Sequence, residues 1–255
     1  MAEQITYEHP LTEKIRTLLR LEHLFQQIEV HLPQPHPSSS RVAVAGILDV
    51  VSIVGRTDLR SELLKELERQ LGTLARLRRS PGVDLERLDH IVHQLTATRE
   101  ILHGHTGHLA QSLRRNDFLK TVHQRSPIPG GSCAFDLPQY HYWLERPHDR
   151  RLTDLQEWMR ELDPLAQAVE LLLQIVRGSG HSVQRTALEG FFQMSLDAQA
   201  PVHLVRVAVP SDLELFAEIS GGKHRFSVRF MQPQGWERAS PTDRDVPFNL
   251  TCCII

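Results

Sequence analysis

Lys223, Arg225 and Arg229 fall on one parity of a stretch whose apolar residues, Phe226, Val228 and Phe230, fall on the other. Side chains alternate between the two faces of a strand, so this spacing predicts one cationic face and one core face. Guanidinium forks hold carboxylates and phosphates in bidentate fashion, which makes such a face a slot for an acidic peptide or a phosphate. The plainer reading is a solvated face with weak ion pairs. Gly221 and Gly222 sit beside it and local acids are sparse, so the stretch is positive. Two further pairs lie one helical turn apart: Arg16 with Arg20, and Arg56 with Arg60 if their helix begins early.

Other constellations offer less. His103, His105 and His108 could together ligate zinc or nickel. No cysteine or carboxylate is suitably spaced beside them, and Gly104 and Gly107 make a loop, so a solvated loop is the expectation. The segment Ile128-Pro129-Gly130-Gly131-Ser132-Cys133 lacks both the Lys-Ser/Thr pair of a phosphate loop and the Gly-x-Ser-x-Gly spacing of a nucleophile elbow. Cys133 has His123 and His141 near it in sequence, and reads as a buried cysteine in a tight turn. Cys252-Cys253-Ile254-Ile255 fits a bare prenylation template, but no polybasic segment precedes it and the run continues a strand pattern.

The elements that must position these residues change character near residue 180. Leu11, Ile15, Leu18, Phe25, Ile28 and Leu32 recur at helical spacing, as do Leu155, Trp158, Leu162, Leu165, Val169, Leu172 and Val176. Beyond Gly178-Ser179-Gly180 the apolar residues alternate: Val202, Leu204, Val207 and Val209, then Phe226 to Phe230, then Phe248, Leu250 and Cys252. The fold class is therefore α+β, a mainly helical N-terminal body over 1–180 with a smaller antiparallel β-rich C-terminal domain over 181–255.

Helices are expected from Leu11 to Leu32, Val42 to Val54, Leu59 to Arg78 behind an Asp58 cap, and onward from Asp84 to His103. Further ones are expected from Leu109 to Gln124, Pro138 to Leu144 and Asp163 to Arg177. Pro33 to Ser40 reads as a mobile loop, and Gly46 weakens the helix after it.

With 29 basic against 31 acidic residues, nearly balanced within each of the two parts, the chain is not a globally basic nucleic-acid binder. A charged site must be assembled by folding. No apolar stretch approaches the roughly 18 residues of a membrane helix, and the start lacks a signal-peptide layout. Three cysteines, two of them adjacent, suit a reducing cytoplasm. No cofactor, metal site or catalytic signature is expected. The chemical alternatives are a nucleic-acid-binding adaptor using the basic face, for which three Trp and three Tyr supply few stacking platforms, and a hydrolase built on Cys133 or a histidine-bound metal.

Several segments resemble one family across nearly the whole chain: Tyr7 to Lys14, Arg16 to Glu22, Glu62 to Leu67, Ile128 to Pro138, and Ile219-Ser220-Gly221 through Arg225-Phe226 to Met231. The resemblance is to ZapD, the FtsZ-associated bacterial division proteins. It implies a non-enzymatic cytoplasmic homodimer, with the helical domain over 1–180 as the dimerisation part and the β-rich domain over 181–255 contributing to partner binding, that binds the short C-terminal tail of the tubulin-like GTPase FtsZ and bundles its filaments at midcell. It implies, as tail-binding residues, Arg56, Arg60, Arg114, Lys223, Arg225 and Arg229, with Arg16 and Arg20 as weaker candidates. Membrane and nucleic-acid partners are not expected. Ser132 departs from the family, where a second cysteine is familiar, and so do the extra Ile254 and Ile255.

Overall fold

The computed structural model describes residues 3–56, 58–78, 82–104, 109–197, 199 and 201–254. The chain is α+β and divides into two compact units, one formed by Arg20–Leu172 and one by Met1–Leu19 together with Leu173–Ile255.

The helices are α1 (Glu13–His31), α2 (Pro37–Val54), α3 (Leu59–Leu77), α4 (Leu85–Gly104), α5 (Gln111–Arg115), α6 (Asp117–Arg125), α7 (Pro138–Glu145) and α8 (His148–Gly178); they build the first unit, except that α1 before Arg20 and α8 after Leu172 belong to the second. The expected caps are present: Asp58 accepts from the Ser61 N–H and Asp84 from the Arg87 N–H at 3.1 Å. Three boundaries differ from expectation. α2 begins at Pro37, so Ser38 to Ser40 are helical rather than a loop; Pro37 supplies the helical φ and His36 Nδ1 accepts from the Ser38 N–H at 3.2 Å. The helix expected over Leu109 to Gln124 is split at Asn116, whose Oδ1 accepts from the Leu119 N–H and starts α6. α8 runs unbroken through Pro164, instead of starting there, because apolar residues from Leu155 to Val176 bury a stripe along its length.

By length and composition alone, α2 is long and apolar enough to cross a membrane, contrary to the sequence expectation. Its apolarity has a nearer cause. Ala43, Val44, Gly46, Ile47, Leu48, Val50 and Val54 are buried as a core helix of this unit. A Cβ on Gly46 would meet Ile28 Cγ1 at 2.7 Å, so the glycine permits the close approach of α1 and α2.

Arg151, 3% exposed, ties the unit together. Its guanidinium donates to Leu144 O at 2.8 Å, Arg146 O at 2.6 Å, Ser40 Oγ at 3.1 Å, and Pro35 O. One buried cation thus joins α8 to the end of α7 and to the proline segment before α2.

The second unit is a β-sandwich. The stretch before α1, read from sequence as leading into a helix, forms β1 (Gln4–Pro10). It pairs antiparallel with β4 (Val202–Pro210), and that sheet runs in the order β1-β4-β8-β2, with β8 Val246–Ile254 and β2 Ser182–Ala187. The other sheet has the order β3-β6-β5, from Phe191–Ser195, Arg225–Gln234 and Phe216–Gly221, and β7 (Glu237–Pro241) extends it beside β6. The inner faces share one core: Val205, Val207 and Val209 from β4 meet Phe226, Val228 and Phe230 from β6. Phe248 bridges the layers, its ring 5.3 Å from both Phe192 and Phe230.

On the outer face of the first sheet, Glu8 accepts from Arg177 Nε at 2.9 Å and Nη2 at 2.7 Å, and from Arg206 Nε at 2.9 Å. Burial alone would raise the Glu8 pKa, but the hydrogen bonds and charges of Arg177 and Arg206 outweigh it and hold the carboxyl below its usual range. This ion triad fastens β1 to β4 and to the last turn of α8.

Candidate partner-binding site

Basic residues line two clefts, one in each unit. The helical cleft, about 360 Å³, lies among the end of α2, α5 and α6. Leu48, Val51, Leu113 and Leu119 line it together with Arg56, Arg114, Lys120 and His123. The four basic side chains are exposed and no acidic residue lines the cleft. Ser52 Oγ donates to Leu48 O at 2.9 Å and lies 2.9 Å from His123 Nε2. A hydroxyl has one proton, so in this arrangement the imidazole is the donor to Ser52.

The second cleft, about 420 Å³, is formed where β5 turns into β6 and is lined by Gln193, Ser220 to Gly222, Lys223, His224, Arg225, Phe226 and Ser227. Arg225 lies on the outer face of β6, as its spacing predicts. Lys223 differs: it lies in the bend before β6 rather than on the strand, because the Gly222 N–H bonds Arg225 O and closes the hairpin there. Arg229 is on the outer face but outside the cleft lining, with its guanidinium carbon 5.7 Å from the Phe191 ring centroid. Glu218 is its cross-strand neighbour.

The other candidates are placed differently. Arg60 donates from Nε to Leu102 O at 2.8 Å and from Nη2 to His103 O at 2.9 Å, capping the C-terminal end of α4. Arg16 pairs with Glu13 at 3.1 Å and reaches Pro10 O at 3.5 Å. Arg20 is exposed on α1.

Lys120, His123 and Ser52 were not found by sequence reasoning. Lys120 and His123 each follow a buried residue of α6, Leu119 and Val122, which puts them at the border of its apolar stripe. That is a weak signal, and nothing in the sequence brings Ser52 to His123.

The remaining constellations have structural explanations. Cys133 donates to Asp136 at 3.4 Å, and His123 bonds Ser52 instead of Cys133. Cys252 and Cys253 belong to β8; Cys253 is fully buried and burial pushes its thiol up to about 11. Among the described residues no group of three metal-ligating side chains is gathered. His105 and His108 lie outside the described residues, as does Ile255.

A model of the ZapD family, described as Cell division protein, matches residues 19–229. The chain belongs to the ZapD family. A relative from Methylococcus capsulatus, named Cell division protein ZapD, is 42% identical over 255 residues, covering all of both chains. The proteins of the same name from Ralstonia pickettii and Coxiella burnetii are 40% and 36% identical, over 98% and 100% of this chain and 99% and 100% of their own. These ZapD relatives are named for a role in division, and their names carry no enzymatic activity.

Proposed function

We propose that this chain is a non-enzymatic division factor that binds the C-terminal tail of FtsZ and, as a homodimer in the cytoplasm, crosslinks FtsZ filaments at midcell. The observation that carries the reading is the helical cleft, where Arg56 and Arg114 stand over apolar side chains with no lining acid. Arginine forks there bind carboxylates of an acidic peptide while its aliphatic side chains enter the floor. Lys223 and Arg225 offer a second cationic cleft of the same sign.

A tail that is disordered when free loses entropy on binding, so each contact is modest. Two sites in a dimer turn modest contacts into avidity and join two filaments.

The test is binding of the full chain to FtsZ with and without its C-terminal tail, beside the Arg225→Glu/Arg229→Glu and Arg56→Glu/Arg114→Glu variants. Affinity should disappear with the tail and fall at least about tenfold in the second variant, a change of about 1.4 kcal/mol. Undiminished binding to tail-less FtsZ would sink the tail-binding reading.

A further inference from the structure

We propose that the turn segment between α6 and α7 is a contact surface for a second copy of this chain, with Phe135 and Ile128 as its apolar anchors. The inference rests on the homodimer of the proposed function and gives that homodimer an interface.

The stretch from Ser126 to Leu137 is rich in Pro and Gly and lines neither cleft. Fixing such a chain costs backbone entropy, yet here it is folded into successive turns. Arg125 O accepts from the Ile128 N–H at 3.0 Å, Ile128 O from the Gly131 N–H at 2.8 Å, and Cys133 O from the Leu137 N–H at 3.0 Å. A Cβ on Gly131 would stand 2.5 Å from Arg125 O and 2.8 Å from Ile128 Cβ, so a glycine is needed for the turns to close. Arg41 of α2 donates to Ser132 O at 3.3 Å and to Ser132 Oγ at 3.4 Å, with its guanidinium carbon 5.4 Å from the Tyr140 ring centroid. Arg125 pairs with Asp136 at 3.7 Å.

These ties are polar, and they leave apolar side chains in water. Phe135 is 86% exposed and Ile128 47%, and Tyr142, on α7 just beyond the segment, is 71% exposed. Ordered apolar side chains in water stabilise nothing within their own chain. Held in place before binding, they lose little entropy when a partner covers them.

Charge decides which partner. A two-fold contact sets a surface against itself, so that surface must tolerate its own charge. From Arg125 to Pro138 the charged side chains are Arg125 and Asp136, and they neutralise each other. Each basic cleft, lined by cations and no acid, would repel its own copy. The neutral turn segment faces a copy of itself without that cost, and an acidic peptide finds no free cation there.

Sedimentation equilibrium of the full chain, beside Phe135→Asp/Ile128→Asp and the control Phe135→Leu/Ile128→Val, tests this. The acidic variant should raise the dimer dissociation constant at least about tenfold, and the control should stay within about threefold of the parent. Anisotropy of a labelled FtsZ tail peptide should change less than about twofold in the acidic variant, because neither residue lines a cleft. FtsZ bundling should be lost with the dimer. Placing the photoreactive residue p-benzoylphenylalanine at position 135 leaves the fold intact, since that side chain is exposed, and irradiation should give an adduct of two copies. A parent that stays monomeric at every concentration sinks the homodimer and this inference together. A dimer whose dissociation constant the acidic variant leaves unchanged sinks this inference alone, and the homodimer stands on another surface. A photoadduct to FtsZ instead of to a second copy, in a mixture of the two proteins, overturns the assigned partner.

Discussion

Arg60, Arg151, Arg177 and Arg206 direct their donors at the protein itself, to helix-end carbonyls or to Glu8, whereas Arg56, Arg114, Lys120 and Arg225 line clefts. In the proposed function the same charge serves folding in one place and recognition in the other, and burial and partners separate the two. Glu8 gives the folding role a measurable form. Its side chain is 18% exposed and receives two guanidinium groups, so Glu8→Gln should cost about 2 kcal/mol at neutral pH through weakened charge-assisted bonds and poorly compensated arginines. Folding lowers the Glu8 pKa, so as pH falls the unfolded chain takes up the proton first. The ionisation-linked part of its stabilisation is complete above the ordinary glutamate range and is lost as pH falls through the folded-state value. Urea midpoints measured from pH 7 downward should show the two proteins converging in acid. A constant gap at every pH would mean that Glu8 acts through packing alone.

At the level of elements, Gly46 shows what a sequence does and does not disclose. By propensity it weakens α2; in the structure it is where Ile28 of α1 comes closest. Gly46→Ala should gain up to about 1 kcal/mol of helix propensity and lose more than that by overpacking a fully buried isoleucine, for a net loss of about 1–2 kcal/mol. Gly72→Ala, on an exposed part of α3 with nothing within 4 Å of the added methyl, should stabilise instead. Urea midpoints with unchanged slopes would report both, and a stabilising Gly46→Ala would refute the close approach. The helices and strands with one buried face were legible, because periodicities of 3.6 and 2 record burial directly. So were the caps at Asp58 and Asp84 and the outward face of Arg225 and Arg229. β1 was not, since an edge strand carrying Tyr7, Glu8 and His9 half-buried has little alternation, and its partner β4 lies about 200 residues away. Arg60 is a binding residue by what the family resemblance implies; that its guanidinium donates to the α4 carbonyls depends on a helix 42 residues further on. Lys120, His123 and Ser52 come together only through the packing of α2 against α6, which no local pattern encodes.

For the whole molecule, the proposed role depends on the number of tails held at once and on how strongly charge holds each. Crosslinking needs at least two tail sites per particle, so its strength follows avidity, and avidity collapses when single contacts weaken only a little. Exposed guanidinium and ammonium groups at the clefts are screened as the Debye length shrinks from about 10 Å at 0.1 M salt to about 3 Å at 1 M. The apolar floor of the helical cleft is not screened in this way. Bundling of FtsZ filaments, followed by light scattering, should therefore fall more steeply with salt than binding of a single tail peptide, because two contacts weaken together. Free tail peptide in excess should dissolve bundles at constant salt by occupying sites one at a time, leaving filaments intact in a pelleting assay. Bundles that persist under saturating peptide would place the crosslink outside the tail sites, and bundles insensitive to salt would remove the arginines from it. Loss of bundling with peptide, together with a salt slope steeper than that of peptide binding, is the joint result that a bivalent, charge-dependent crosslinker requires.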